Sequence, residues 1–139
     1  MAPPPERPPG AARSTRQAAA VRDALAEQSG FTSAQDLHAE LRRRGEQVGL
    51  TTVYRRLQAL ADAGAVDTLR TSDGESVYRL CRTGRHHHHL VCRICHRAVE
   101  IEAAEVERWT RKVAQAEGFT DVEHTVEVLG TCSSCACRA

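Results

Sequence analysis

Aromatic side chains are nearly missing from this 139-residue sequence: Phe31, Tyr54, Tyr78, Trp109 and Phe119 are all it has. So few rings argue against a large aromatic-lined cavity for an organic substrate. No apolar run approaches the roughly 18 residues of a membrane-spanning helix. Proline does not recur after position 9: all five prolines lie in the opening MAPPPERPPG. That segment has no apolar core of a secretory signal and reads as a disordered tail over residues 1–12. A net charge of only +1 does not by itself imply nucleic acid. The chain is also too short for a Rossmann or barrel enzyme. A domain with so thin a core needs a staple, whether disulfide, metal or partner subunit. A cytoplasmic location is expected, and there cysteine pairs serve as metal ligands or redox centres more often than as disulfides.

What is present is unevenly placed. Residues 1–85 carry 13 basic and 10 acidic side chains, whereas residues 86–139 carry 6 and 8. All six cysteines and six of the seven histidines fall after position 80. The pattern divides the chain into a mildly basic helical half and a mildly acidic half rich in metal-binding side chains. No internal repeat is visible.

In the first half, RSTRQAAAVRDALAEQSG predicts a helix from about Ser14 to Gln28, with Val21 and Leu25 one turn apart and Gly30 as a stop. SAQDLHAELRRRG predicts a second, with Ser33 as N-cap, Asp36 three residues on, Leu37 and Leu41 on one face, and Gly45 at the end. A third begins at Thr51, with Val53, Leu57 and Leu60 as its apolar stripe and Gly64 closing it. Two strand-like runs around Asp73-Gly74 then predict a hairpin. Three helices and a hairpin suggest a winged helix-turn-helix, whose third helix would enter the DNA major groove. Tyr54, Arg55 and Gln58 point away from that helix's apolar stripe. Arg55 suits a guanine or phosphate, and the Tyr54 ring a thymine methyl. Tyr54 equally suits an ordinary half-buried site. Arg42, Arg43 and Arg44 suit phosphates or, as plainly, a solvated helix end that complements the dipole.

In the second half, Cys92-x-x-Cys95 and Cys132-x-x-Cys135 make two pairs. Each can form a knuckle with both thiolates facing one ion, and four thiolates suit a closed structural zinc site. A redox switch that releases zinc would use the same four residues. Cys137 is left over. The internal run His86-His87-His88-His89 precedes Leu90-Val91-Cys92 and reads as a strand. Alternation then puts His86 and His88 on one side, His87 and His89 on the other, so that each pair can chelate a different ion. A flexible polyhistidine chelator is the alternative. Asp67 and Cys81, at the start and close of the hairpin region, are available to either pair. AAEVERWTRKVAQAEG predicts a helix with Val106, Trp109 and Val113 on a buried face bordered by Glu107. FTDVEHTVEVLG predicts a strand with His124 on a face otherwise made of Val122, Val126 and Val128. His124 is a core histidine or a metal ligand. The second half is expected to be a β-β-α-β unit of α+β class.

Taken together, LTTVYRRLQAL, the histidine run, and CRICH paired with CSSC resemble the ferric uptake regulator family, and within it the zinc uptake regulators. The resemblance covers nearly everything after the tail. It implies a winged-helix DNA-binding domain over residues 13–83, a hinge near 82–86, and an α/β dimerisation domain over 84–139. It also implies a structural zinc site at Cys92, Cys95, Cys132 and Cys135, and a sensory hinge site at Asp67, Cys81, His87 and His89. A third site is implied at His86, His88, Glu107 and His124, and base reading by Tyr54 and Arg55. The chain departs from the iron and peroxide sensors at Cys81, which gives the hinge set a thiolate; sulfur in a set of four favours tetrahedral zinc over six-coordinate iron.

The function so implied is zinc-responsive repression: a homodimer carrying up to three zinc ions per subunit binds palindromic operator DNA. Two other classes remain at this point. A hydrolytic zinc enzyme would need an open coordination position and a base such as Glu105. A zinc store or chaperone would use the histidine run and have no need of the winged helix.

Overall fold

Ser33 sets the start of a helix as its position predicted: extended at φ −77°, ψ 161°, it accepts the backbone N–H of Asp36 at 3.1 Å. A computed structural model of the chain describes residues 9–81 and 86–138. They fall into two units, Met1–Gly84 and Arg85–Ala139. No helix among the described residues is long and apolar enough to cross a membrane.

The first unit contains α1 (Pro9–Ala26), β1 (Thr32–Ser33), α2 (Ala34–Arg43), α3 (Leu50–Asp62), β2 (Val66–Arg70) and β3 (Ser76–Leu80). Helix α1 begins earlier than the sequence suggested, so residues 9–12, expected in the tail, are helical. Proline is tolerated in a first turn, where its missing N–H would have no intrahelical partner. Residues 1–8 lie outside the described residues. Helices α2 and α3 end alike. Gly45 (φ +78°) and Gly64 (φ +70°) take the left-handed conformation. Beyond them, Glu46 N–H reaches Leu41 O at 2.9 Å and Ala65 N–H reaches Leu60 O at 2.8 Å. These bonds satisfy carbonyls that the helix ends would otherwise orphan. Strands β2 and β3 form the hairpin around Asp73-Gly74, and β1 adds to β3, giving the antiparallel order β1-β3-β2. Val21, Leu25, Leu37, Leu41, Val53 and Leu57 pack at 0–1% exposure in the core. Each is worth about 1.5–3 kcal/mol of apolar burial. The result is a winged helix.

The second unit contains β4 (His88–Cys92), β5 (Ala98–Ile101), α4 (Ala104–Glu117), β6 (Glu127–Gly130) and the short α5 (Ser133–Ala136). Its sheet order is β5-β4-β6, with β4 antiparallel to β5 and parallel to β6. Helix α4 lies within the long connection that parallel pairing requires. Two expectations are corrected here. The strand expected from Phe119 onward is confined to Glu127–Gly130, and one ladder bond runs just before it, from His89 N–H to Val126 O at 3.3 Å. The face of α4 expected to be buried is open: Trp109 is 65% exposed and Val113 43%. The apolar core among this unit's described residues is thin: Val91, Cys92 and Ala98, with His88 and His89 buried beside them.

Candidate metal centres and the helix α3 face

The two cysteine knuckles meet at one end of the β5-β4-β6 sheet. Cys92 ends β4 opposite Gly130 of β6, two residues before Cys132. Arg93 fastens the strands, its N–H bonding Gly130 O at 2.9 Å and its guanidinium Leu129 O at 3.1 Å. The first knuckle closes through His96 N–H on Cys92 O at 2.9 Å, with His96 held at φ +61°. The second closes through Cys135 N–H on Cys132 O at 3.0 Å.

The four Sγ atoms lie within 4.8 Å of one another, and Cys95 Sγ stands 3.8 Å from Cys132 Sγ. A tetrahedron with Zn–S bonds of about 2.3 Å has edges of about 3.8 Å, so the set fits zinc. Its protonation agrees. Backbone N–H groups of Cys132, Cys95 and Ile94 lower the Cys92 thiol to about 5, against the resistance of burial. Cys135, hydrogen-bonded with Cys132, desolvated, and facing Cys95 and Cys92, is pushed up to about 12. One sulfur gives up its proton easily and another keeps it, a conflict that a shared divalent cation removes.

A second cluster forms around Glu107. The parallel register pairs His89 with Glu127, an offset of 38 residues. Extended one step outward, it puts Val126 beside His88; two further residues put His124 beside His86. His86 Nε2 and His124 Nε2 are accordingly 3.2 Å apart. Glu107, in the first turns of α4, brings its Oε1 to 2.7 Å from His88 Nε2, 2.9 Å from His124 Nε2 and 3.0 Å from His86 Nε2. The His88 hydrogen bond is the largest influence holding the Glu107 carboxyl down at about 2; His124 and His86 add to it and desolvation opposes. Val126 N–H donates to His88 Nδ1 at 3.0 Å. Neutral His88 therefore carries its proton on Nε2 and donates a hydrogen bond with it to Glu107. Three imidazole nitrogens and a carboxylate suit zinc. With bonds of about 2.0–2.1 Å, a loaded tetrahedron has edges of about 3.3–3.4 Å, so Glu107 would recede by about half an ångström and the His88 proton would leave.

The residues assigned to the hinge set belong to different units. In the first unit, Asp67 lies on β2 opposite Arg79, and Cys81 N–H bonds Ala65 O at 3.0 Å. Asp67 and Cys81 therefore share one face of the hairpin as diagonal neighbours. In the second unit the His87 and His89 rings stand 4.8 Å apart, on the side opposite His86 and His88. The alternation read from the sequence thus separates the four histidines, although only His88 and His89 are within the strand.

On α3, Tyr54 is 47% exposed and Arg55 is exposed too, while Val53 and Leu57 are buried. Gln58 is turned to Asp62 at 2.9 Å. The arginine run at the end of α2 behaves largely as the solvated-end reading held. Arg43 pairs with Glu40, and Arg44 with Glu40 at 2.8 Å and Glu27 at 2.5 Å. Missing from the sequence reading is the other basic face, Arg13 and Arg16 on α1. Their spacing of three in RSTR was the available signal. Glu105, the base an enzyme would need, is 92% exposed and faces Arg108.

Fold and donor chemistry together place the chain among metal-binding winged-helix proteins. Residues 10–129 match the ferric uptake regulator family, and the chain belongs to that family, whose members are regulators and not enzymes. It is 58% identical over 123 residues to a zinc uptake regulation protein of Mycobacterium tuberculosis, covering 88% of this chain and 94% of that one. A crystal structure of a zinc uptake regulator from M. tuberculosis, also 58% identical, matches with a TM-score of 0.56 over 89% of this chain and 95% of the other. A zinc uptake regulator complexed with zinc and DNA is 29% identical, with a TM-score of 0.65 over 86% and 81% of the two chains. The Escherichia coli ferric uptake regulation protein is 37% identical over 107 residues, 76% of this chain and 71% of that protein.

Proposed function

We propose that this chain works in the cytoplasm as a zinc-loaded homodimer that binds palindromic operator DNA and represses genes of zinc uptake and homeostasis. The observation that carries the reading is the joining, in one chain, of an outward-facing Tyr54-Arg55 pair on a winged-helix α3 with donor clusters sized for tetrahedral zinc. The relatives named for zinc uptake support the choice of metal, as does sulfur among the donors.

Each residue set has its own part. Cys92, Cys95, Cys132 and Cys135 hold a permanent zinc that keeps the second unit folded. Asp67 and Cys81 with His87 and His89 make the sensory site, and sharing one ion across the chain segment that separates them fixes the DNA-binding conformation. Where the site is empty, DNA binding must also meet the cost of ordering the two units. Coupling is reciprocal, so operator DNA tightens the hold of these four residues on zinc. His86, His88, Glu107 and His124 hold a third ion, giving up to three per subunit. Tyr54 and Arg55 read bases in the major groove, two copies of α3 meeting half-sites roughly one helical turn apart. The dimer is supported by apolar side chains left open in the second unit. Leu90, Val99 and Val128 are neighbours across the three strands and are each 44–45% exposed, a row that a second copy would cover.

The test is retention of fragmented genomic DNA from the source organism at buffered free zinc, with iron and manganese as controls. A palindromic sequence retained only with zinc is expected. Retention with iron or manganese instead overturns the metal, and no specific retention under any metal overturns the regulator reading.

A further inference from the structure

The donor cluster around Glu107 stands in the wall of a cleft that its four side chains do not fill. The cleft, of about 280 Å³, opens between α4 and the segment that follows it, with Glu107 and His124 on its wall beside Thr110, Arg111, Phe119 and Asp121. The following segment is turned back on the helix: Gly118 is left-handed at φ +74°, and Phe119 N–H bonds Ala114 O at 2.8 Å. Asp121 is left-handed too, at φ +53°, a conformation that aspartate tolerates better than most side chains. The cluster is not sealed from solvent, since the Glu107 side chain is 32% exposed, His124 21% and His86 49%.

Charge gives the cleft its chemistry. Arg111 lies one turn along α4 from Glu107, on the same face. Glu107 nevertheless turns its carboxylate to the three histidines. Thr110 is occupied as well, its hydroxyl donating to Val106 O at 2.7 Å. Among the described residues lining the cleft, Arg111 is the one permanent cation. Asp121 is an anion on the same wall, and neither makes an ion pair among the described residues. A guanidinium takes a carboxylate through two parallel N–H groups, and a carboxylate accepts from an ammonium. Together they complement the zwitterion of an α-amino acid, beside a cluster suited to zinc.

We propose that the cleft seats a free α-amino acid with a zinc-binding side chain, histidine being the type, and that zinc enters and leaves the third site as a complex with it. Arg111 holds the carboxylate and Asp121 the ammonium, while the imidazole meets the ion as an entering ligand. Zinc can expand from four ligands to five. The entering nitrogen therefore bonds before a protein donor lets go, and the ion is never released bare. The proposal rests on the third zinc site described under the proposed function and adds the ligand that exchanges its metal.

The test uses the full zinc-loaded protein, L-histidine as the probe, and a coloured zinc indicator in solution as the final acceptor. The zinc that the wild type holds and Glu107→Gln lacks marks the third-site phase of transfer. Its rate should rise with L-histidine and level off as the cleft fills. Histamine, which lacks the carboxylate, should need a higher concentration. Arg111→Ala, with zinc content unchanged, should raise the half-saturating L-histidine concentration by about two- to fivefold, the scale of one exposed charge pair. The same variant should leave the response to histamine as it was, and Arg111→Lys should recover part of the loss. Asp121→Asn, which keeps a residue tolerant of the left-handed conformation, should weaken L-histidine and leave imidazolepropionate, which has no ammonium, unaffected. A third-site phase that ignores L-histidine, or that responds to it equally in the wild type and Arg111→Ala, overturns this inference and leaves the third site standing. A wild type with no more zinc than Glu107→Gln overturns both.

Discussion

Removing the metal from the cysteine site should unfold the second unit and spare the first. The magnitudes follow from the burial pattern. The first unit has an extended apolar core, whereas the second buries Val91, Cys92 and Ala98 among its described apolar residues, and α4 has no buried residue. A structural zinc ion contributes about 10–16 kcal/mol in small metal-dependent folds. A whole domain is stable by about 5–15 kcal/mol, so loss of the ion exceeds what so thin a core can supply. Cys95→Ser is the matching substitution, because Cys95 is exposed and removing its sulfur takes a ligand with little packing. Hydrogen exchange read by mass spectrometry, with metal content measured on the same sample, is the assay. The amides of β4 and β6 should lose protection in the metal-free protein, while those of α3 around Val53 and Leu57 keep it. Protected β4 and β6 amides in demonstrably metal-free protein would refute the argument.

Further outcomes are expected at the other sites. Glu107→Gln should lower zinc content by one ion per subunit while leaving the cysteine site loaded; unchanged stoichiometry in metal analysis would remove Glu107 from the ligands. Cys81→Ser should leave fold and cysteine-site zinc intact and abolish zinc-dependent DNA retention, and normal zinc-dependent retention would show the hinge set to be wrong. Arg55→Ala should weaken operator binding by about 1–3 kcal/mol per half-site, roughly 5- to 150-fold for each, with zinc content unchanged; altered zinc content would contradict a pure readout role. Loading the cysteine site at neutral pH must expel the proton that Cys135 holds up to about 12, whereas Cys92, at about 5, has already lost its own. Zinc affinity should therefore rise with pH through neutrality and fall on acidification. Calorimetry in buffers of different ionisation enthalpy reads the released protons, and a heat independent of buffer would contradict the sign.

Local features of the fold were legible in the sequence because their causes are local. Ser33 caps α2 through its own side chain, Gly45 and Gly64 end helices because a left-handed residue was needed there, and Asp73-Gly74 turns the hairpin. Alternation separated His86 and His88 from His87 and His89, since successive side chains on extended backbone face opposite ways. Two CxxC pairs announced a four-sulfur set for the same kind of reason: each knuckle is a short-range object. Tertiary structure decided what joins these pieces. Helix α4, not sequence spacing, carries Glu107 to within 2.7 Å of His88, and the offset of β4 against β6 places His124 beside His86. Pairing across the fold gave Arg44 to Glu27. The apolar side of α4 that periodicity assigned to a core stands open, because periodicity records which side chains share a face and not whether any surface meets it. Turns, caps and alternation depend on neighbours a few residues away and can be read along the chain; a metal site or an ion pair closes only when distant segments arrive at one place.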